Sequence, residues 1–154
     1  MMTDENANDA QVSQQSTEPE LKLRRLDRLV GTWEVSGGLQ GKVSYEWMEG
    51  GFFLIQRFDF DHDGRRIKGF EVIGRERMLG AERGHQDWCL HHDGRHPRVH
   101  VRTGGDNLKI WFGDRGSPAY FEGTFGEDGR TYSGSGHFPG GGGYEVTGTR
   151  VEGE

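Results

Sequence analysis

Three Asp-Gly dipeptides, Asp63-Gly64, Asp93-Gly94 and Asp128-Gly129, each separate two segments in which apolar and polar residues alternate. Asp-Gly favours a two-residue hairpin turn, because both central residues of a type I′ turn need positive φ. Such a turn joins neighbouring antiparallel strands and fixes which residues face each other. The pattern predicts an all-β fold, a roughly ten-stranded antiparallel up-and-down β-barrel.

The length and composition agree with one domain of short strands and tight turns. The chain has 154 residues, of which 27 are glycine, and 11% are aromatic. A chain of this length buries one core. Residues 1–17 are polar and hold nothing large and apolar, so we expect a disordered tail there and the barrel domain in residues 18–154.

A short N-terminal helix is predicted just before the first strand. Apolar residues recur at helical spacing between a capping Thr and a terminating Gly. The residues that carry this prediction are Thr17, Glu18, Pro19, Leu23, Leu26, Val30 and Gly31. Such a helix would pack on one end of the barrel.

The charge pattern argues against nucleic acid as a partner. The formal net charge is −6, most of it in the acidic first 20 residues, and the rest of the chain is nearly neutral. Without a basic excess the chain has little means of neutralising phosphates. Cys89 is the only cysteine, so no intrachain disulfide is expected, and no apolar run is long enough to span a bilayer. We expect a cytoplasmic protein without a membrane partner.

An interior row of polar side chains follows from the hairpin registers. Around Asp63-Gly64, Gln56 faces Glu71 on a face that is otherwise apolar, and a turn at Gly50-Gly51 would place Tyr45 opposite Gln56. Burial on an apolar wall raises the pKa of a carboxyl group unless donors stabilise its charge. The row is therefore a candidate ligand anchor, a candidate acid–base site, or a structural hydrogen-bond network.

Several motifs resemble a known family. Gly31-Thr32-Trp33 resembles the Gly-x-Trp opening of lipocalins, in which an Arg of the last strand stacks on the Trp, and Arg150 would take that place. The resemblance is closer to bacterial lipocalin-like (calycin) domains of unknown function, distantly related to nitrobindin. It rests on residues 31–33, 45–54, 69–74 and 121–125. Where relatives tend to carry Asp after the position of Gly74, this chain has Arg75-Glu76-Arg77.

Cofactors and metals are not expected. The resemblance to nitrobindin implies haem bound through a His near the chain end, but the predicted last strand has no His and His137 falls on the outward face. In the histidine-rich segment, the Asp93-Gly94 turn would pair His91 with His96, Cys89 with Arg98 and Asp87 with His100. Two histidines are too few for a defined metal site, and Arg98 would oppose a cation.

The favoured function is binding of a small, largely apolar molecule inside the barrel. The predicted ligand-binding residues are Tyr45, Trp47, Leu54, Gln56, Phe58 and Glu71. The first alternative is an enzyme of isomerase, cyclase or dehydratase type that uses Glu71 as general acid or base. The second is a filled barrel that self-associates, as a homodimer, through an outward apolar patch at Phe53, Ile55, Phe70 and Val72.

Overall fold

The computed structural model describes residues 23–74, 87–91 and 98–152, which form a closed antiparallel β-barrel. Each strand pairs with its neighbours in the chain, and the first strand also pairs with the last. The all-β up-and-down barrel is therefore confirmed. The elements are a 3₁₀ helix (Leu23–Leu29), β1 (Gly31–Gly37), β2 (Gln40–Trp47), β3 (Phe53–His62), β4 (Arg65–Gly74), β5 (Asp87–His91), β6 (Arg98–Gly104), β7 (Asn107–Phe112), β8 (Tyr120–Phe125), β9 (Thr131–His137) and β10 (Gly143–Arg150).

Three predicted hairpin registers are present. Gln56 pairs with Glu71 across β3 and β4, and Tyr45 pairs with Gln56 across β2 and β3. Phe125 pairs with Tyr132 across β8 and β9. At the turn between β3 and β4, Asp63 has φ 51° and Gly64 has φ 79°, as a type I′ turn requires.

The predicted register of the hairpin between β5 and β6 was wrong by one residue. Asp87 pairs with Val99 rather than His100, and Arg98 pairs with Trp88 rather than Cys89. Nine residues lie between the paired Trp88 and Arg98, whereas a regular two-residue turn requires an even number between paired residues. Asp-Gly also fits longer hairpin loops, because Gly can occupy their left-handed position. The turn itself lies outside the described residues.

The N-terminal helix differs in type from the expected one. Its buried residues are Leu23, Leu26 and Leu29, a spacing of three, whereas the sequence pattern predicted Val30 as the third member. A 3₁₀ helix has three residues per turn, so side chains at i and i+3 lie directly above one another. The predicted cap at Thr17 and the predicted tail, residues 1–17, lie outside the described residues.

This helix closes one end of the barrel, which we call the helix end. The indole Nε1 of Trp47 in β2 donates to Asp27 Oδ1 at 2.7 Å. Arg28 donates to the carbonyl oxygen of Gly105 at 2.8 Å, and its guanidinium lies 4.2 Å from the ring centre of Phe125. Within the described residues, no helix combines the length and apolarity needed to cross a membrane.

Aromatic rings cover the inward glycines of β9 and β10. A methyl group added to Gly136 would lie 2.1 Å from Cζ of Tyr144, and one added to Gly148 would lie 2.0 Å from Cε1 of Tyr132. Around the Asp128-Gly129 turn, the sequence predicts that the inward Gly123, Gly134 and Gly136 leave room inside the barrel or let strands bend. At Gly136 the Tyr144 ring instead occupies much of that space, as in the covering of sheet glycines by aromatic neighbours.

Candidate functional site

Tyr45, Gln56 and Glu71 lie side by side on the inner wall of β2, β3 and β4. Antiparallel pairing puts them in one row, and alternation along each strand directs all three inward. Glu71 is 4% exposed and Tyr45 is buried, while Gln56 is partly buried. The side-chain amide of Gln56 donates to the Tyr45 hydroxyl oxygen, with 2.8 Å between Nε2 and Oη. The predicted adjacency of these residues is therefore present.

Two further tyrosines belong to the same interior region. Burial raises the pKa of the Tyr45 hydroxyl well above its usual value; nearby Tyr132 and Glu71 raise it further, and the hydrogen bond from Gln56 opposes the rise. Burial, aided by Tyr144, raises the pKa of Tyr132 to about 12. Burial also raises the pKa of Tyr144. All three hydroxyls stay protonated at neutral pH, so they offer hydrogen bonds rather than negative charge.

The apolar residues predicted to line the site divide into two groups. Leu54 is fully buried, and Phe58 is buried with its ring stacked on Phe60 at 5.9 Å between centres. Both belong to the barrel core. Trp47 instead lies at the helix end, where Arg24 covers its ring at 5.0 Å in addition to its hydrogen bond to Asp27.

Inward side chains keep some solvent exposure at the end opposite the helix, which we call the turn end. Phe112 and Phe138 are exposed there, although strand alternation places both on inward rows. Phe112 donates its backbone N–H to Ala119, so β7 and β8 remain paired up to this rim. The partly buried inward residues farther inside are Gln56, Phe60, Ile67, Val101, Ile110, Phe121, Tyr132 and Tyr144.

Three grooves on the outer surface have volumes of about 560, 600 and 410 Å³. They are lined mainly by outward residues of β1–β4 and of β7–β10. Tyr45, Gln56 and Glu71 line none of these three. The predicted role of these three residues in ligand binding therefore stays a prediction.

The seam between β1 and β10 is formed by Trp33 and Arg150. Trp33 is completely buried, and its indole Nε1 donates to the carbonyl of Leu29 at 2.8 Å. The Arg150 guanidinium lies 4.3 Å from the centre of the Trp33 ring, as the sequence predicted. It also donates to the backbone carbonyls of Arg28, at 2.6 Å, and Val30.

Gly31 is the residue that makes room for this guanidinium. Its φ is +124°, a conformation that other residues rarely adopt, and an added methyl group would lie 2.6 Å from Nη1 of Arg150. The Gly-x-Trp motif therefore has a local physical reason. Its glycine admits the Arg that covers its tryptophan.

The histidines give no metal site among the described residues. His137 lies on the outer face, as predicted, with its ring stacked on Tyr120 at 4.3 Å and its Nε2 3.7 Å from Glu122. His85, His92 and His96 lie outside the described residues. In the part of the chain that the structure describes, no three His, Cys, Asp or Glu side chains converge to hold a metal ion.

Sequence reasoning missed His62 at the turn end. Its Nδ1 lies 2.8 Å from the carbonyl oxygen of Gly38, and its ring contacts Phe138 and Tyr144 at 6.1 and 5.8 Å between centres. The sequence could have indicated this position, because His62 lies an even number of residues after Gln56 in β3 and strand alternation therefore directs both side chains inward.

No protein-family model matches this chain, and no curated protein matches it significantly. The resemblance to lipocalin-like domains therefore stays a prediction.

Proposed function

We propose that the barrel binds a small, largely apolar molecule, whose polar group is held by Tyr45, Gln56 and Glu71. The observation that carries the proposal is the cluster itself. A carboxyl group 4% exposed lies on the same wall as a hydrogen-bonded Tyr45–Gln56 pair. Burying polar groups costs free energy, and ligand sites characteristically combine a few such groups with an apolar wall.

The surroundings of the cluster support an apolar ligand body. Leu54, Phe58 and Ile73 flank the polar row on β3 and β4. The exposed rings of Phe112 and Phe138 make the turn end an apolar rim, whereas the helix covers the other end. The turn end is therefore the proposed entrance.

Native mass spectrometry of protein purified from its own host tests the proposal most directly. A retained small molecule would identify the ligand class. Binding is then measured by titration with the neutral fluorophore N-phenyl-1-naphthylamine in wild type, Gln56→Leu and Glu71→Gln. Loss of one buried hydrogen bond, worth about 1 kcal/mol, predicts roughly fivefold weaker binding for each variant.

Matched controls separate interior binding from effects on the surface. Gln40→Leu and Glu122→Gln make the same chemical changes at exposed positions of β2 and β8 and should leave the affinity unchanged. Phe70→Ser reports any fluorophore bound to the outside of the barrel. Equal affinities of the interior variants and wild type would contradict the proposal.

The buried carboxyl group also favours a second candidate, an enzyme that uses Glu71 as general acid or base on an apolar substrate. Glu71 interacts with the hydroxyl group of Tyr45, which stays protonated at neutral pH. A carboxyl group and a hydroxyl donor together would suit an isomerisation, cyclisation or dehydration. In that case, Glu71→Gln abolishes conversion of the retained molecule while binding persists. A molecule recovered unchanged after long incubation with the wild type would leave binding as the function.

A further inference from the structure

Exposed apolar side chains cluster on the outer face of β2–β4 near the helix end. Of the five large hydrophobic residues exposed among the described residues, three lie here: Phe53 at 40%, Phe70 at 41% and Met48, just after β2, at 47%. Ile55 and Val72, which pair across β3 and β4, lie between them. We call these five residues the outer patch. A contiguous apolar area on the outside of a domain marks an interaction site more often than scattered single residues do.

A partner of this barrel can contact only the outward side chains of the described strands. Every described strand has two neighbours, so the ring has no free edge to which another strand could be added. Association must therefore occur by packing of outward side chains, as when two sheets stack about 10 Å apart.

The shape of the outer surface around Phe70 is compatible with packing against a second copy of the same surface. Phe70 lines two grooves, one of about 560 Å³ toward β1 and one of about 410 Å³ toward Met48, and Arg57 lines both as well. These two residues therefore form a ridge between two hollows. In a two-fold arrangement, the ridge of each copy enters a hollow of the other, because isologous contacts are self-complementary.

The charges beside the outer patch also fit a copy of the same face. Glu46 and Arg57 form an ion pair beside the apolar residues, and Asp59 and Arg66 form another farther toward the turn end. Lys42 and Lys68 line the larger hollow and would repel Arg57, whereas Glu46 lines the smaller hollow and carries the opposite charge. A two-fold axis beside the smaller hollow therefore brings the Arg57 of each copy near the Glu46 of the other.

The area suffices for a weak dimer. With strands about 4.8 Å apart and residues about 3.3 Å apart, β2–β4, which are eight to ten residues long, project roughly 450 Å² per copy on their outer face. The pair would bury roughly 900 Å², at the low end for specific complexes and typical of transient ones.

We propose that this chain forms a weak two-fold dimer through the outer patch. Sedimentation velocity of the full chain over about 5 to 500 µM tests it, since this range covers micromolar dissociation constants. The wild type should shift from monomer to dimer across the range. Phe70→Glu, which adds charge to the ridge, should weaken the dimer at least tenfold.

Two further variants keep the result decisive. Met48→Glu charges the edge of the outer patch at the most exposed of its residues, so it is informative even if Phe70→Glu fails to fold. Thr124→Glu adds the same charge to the exposed outer face of β8 and should leave the dimer intact. A wild type that stays monomeric throughout, whatever else binds the patch, overturns the proposal. So does a dimer that both patch variants leave unchanged.

Discussion

Replacing Arg150 by alanine removes three interactions that hold β10 and β1 to the N-terminal helix. The guanidinium stacks on Trp33 and donates to two backbone carbonyls, those of Arg28 and Val30. The stacking contributes about 1 kcal/mol. Each hydrogen bond from the partly buried cation contributes about 1 kcal/mol once its exposure is discounted. The expected loss in the free energy of unfolding is about 3 kcal/mol.

Urea unfolding followed by tryptophan fluorescence measures this loss. For a chain of this size, about 3 kcal/mol also corresponds to roughly 6–12 °C in Tm. Arg150→Lys should fall between wild type and alanine, because one ammonium group keeps the charge but cannot reproduce the planar fork. Arg57→Ala is the matched control: its ion pair with Glu46 is exposed, so about 0.5 kcal/mol is expected. A loss below about 0.5 kcal/mol for Arg150→Ala would refute the account of the seam.

Two more predictions concern the aromatic interior. Because the folded barrel raises the pKa of Tyr132 from 10.0 to about 12, the folded state keeps a proton that the unfolded chain releases. Tyr132 alone should therefore contribute stability that is full below pH 10 and falls by up to about 2.7 kcal/mol as pH rises through 12, and Tyr45 and Tyr144, whose pKa values are also raised, add to this loss. Urea unfolding at each pH measures the loss, and a flat profile would contradict this. Gly136→Ala should cost about 1–3 kcal/mol, because its methyl group meets the Tyr144 ring. Gly104→Ala, at an open position, is the control, and a Tyr144→Ala background should relieve the cost in a double-mutant cycle.

The backbone registers around Asp63-Gly64 were predictable because local turn chemistry and strand alternation agree there. Those two features alone place Gln56 beside Glu71 on the inner wall. The Asp93-Gly94 hairpin shows the limit of the same reasoning. The dipeptide fits loops of more than one length, and an error of one residue changes every pair between β5 and β6.

Side-chain placement was less predictable than pairing. Strand alternation predicts that Gly136 and Tyr144 share the inner face, but not that the ring covers the glycine, because this depends on the rotamer of Tyr144. Trp47 illustrates the same point. Its inward position made it a candidate ligand contact, while its hydrogen bond joins it to Asp27 of the helix, a long-range partner that no sequence spacing indicates.

The pairing of the first strand with the last also governs when this protein can fold during its synthesis. Val30 and Arg150 are 120 positions apart, so a ribosome adding 5–20 residues per second needs roughly 6–24 s to supply the Arg after the Val. Throughout that interval the indole of Trp33 lacks the cation that covers it, and β1 lacks one of its two neighbouring strands. The nascent chain must therefore keep the apolar face and the open edge of β1 from aggregating until its final strand emerges.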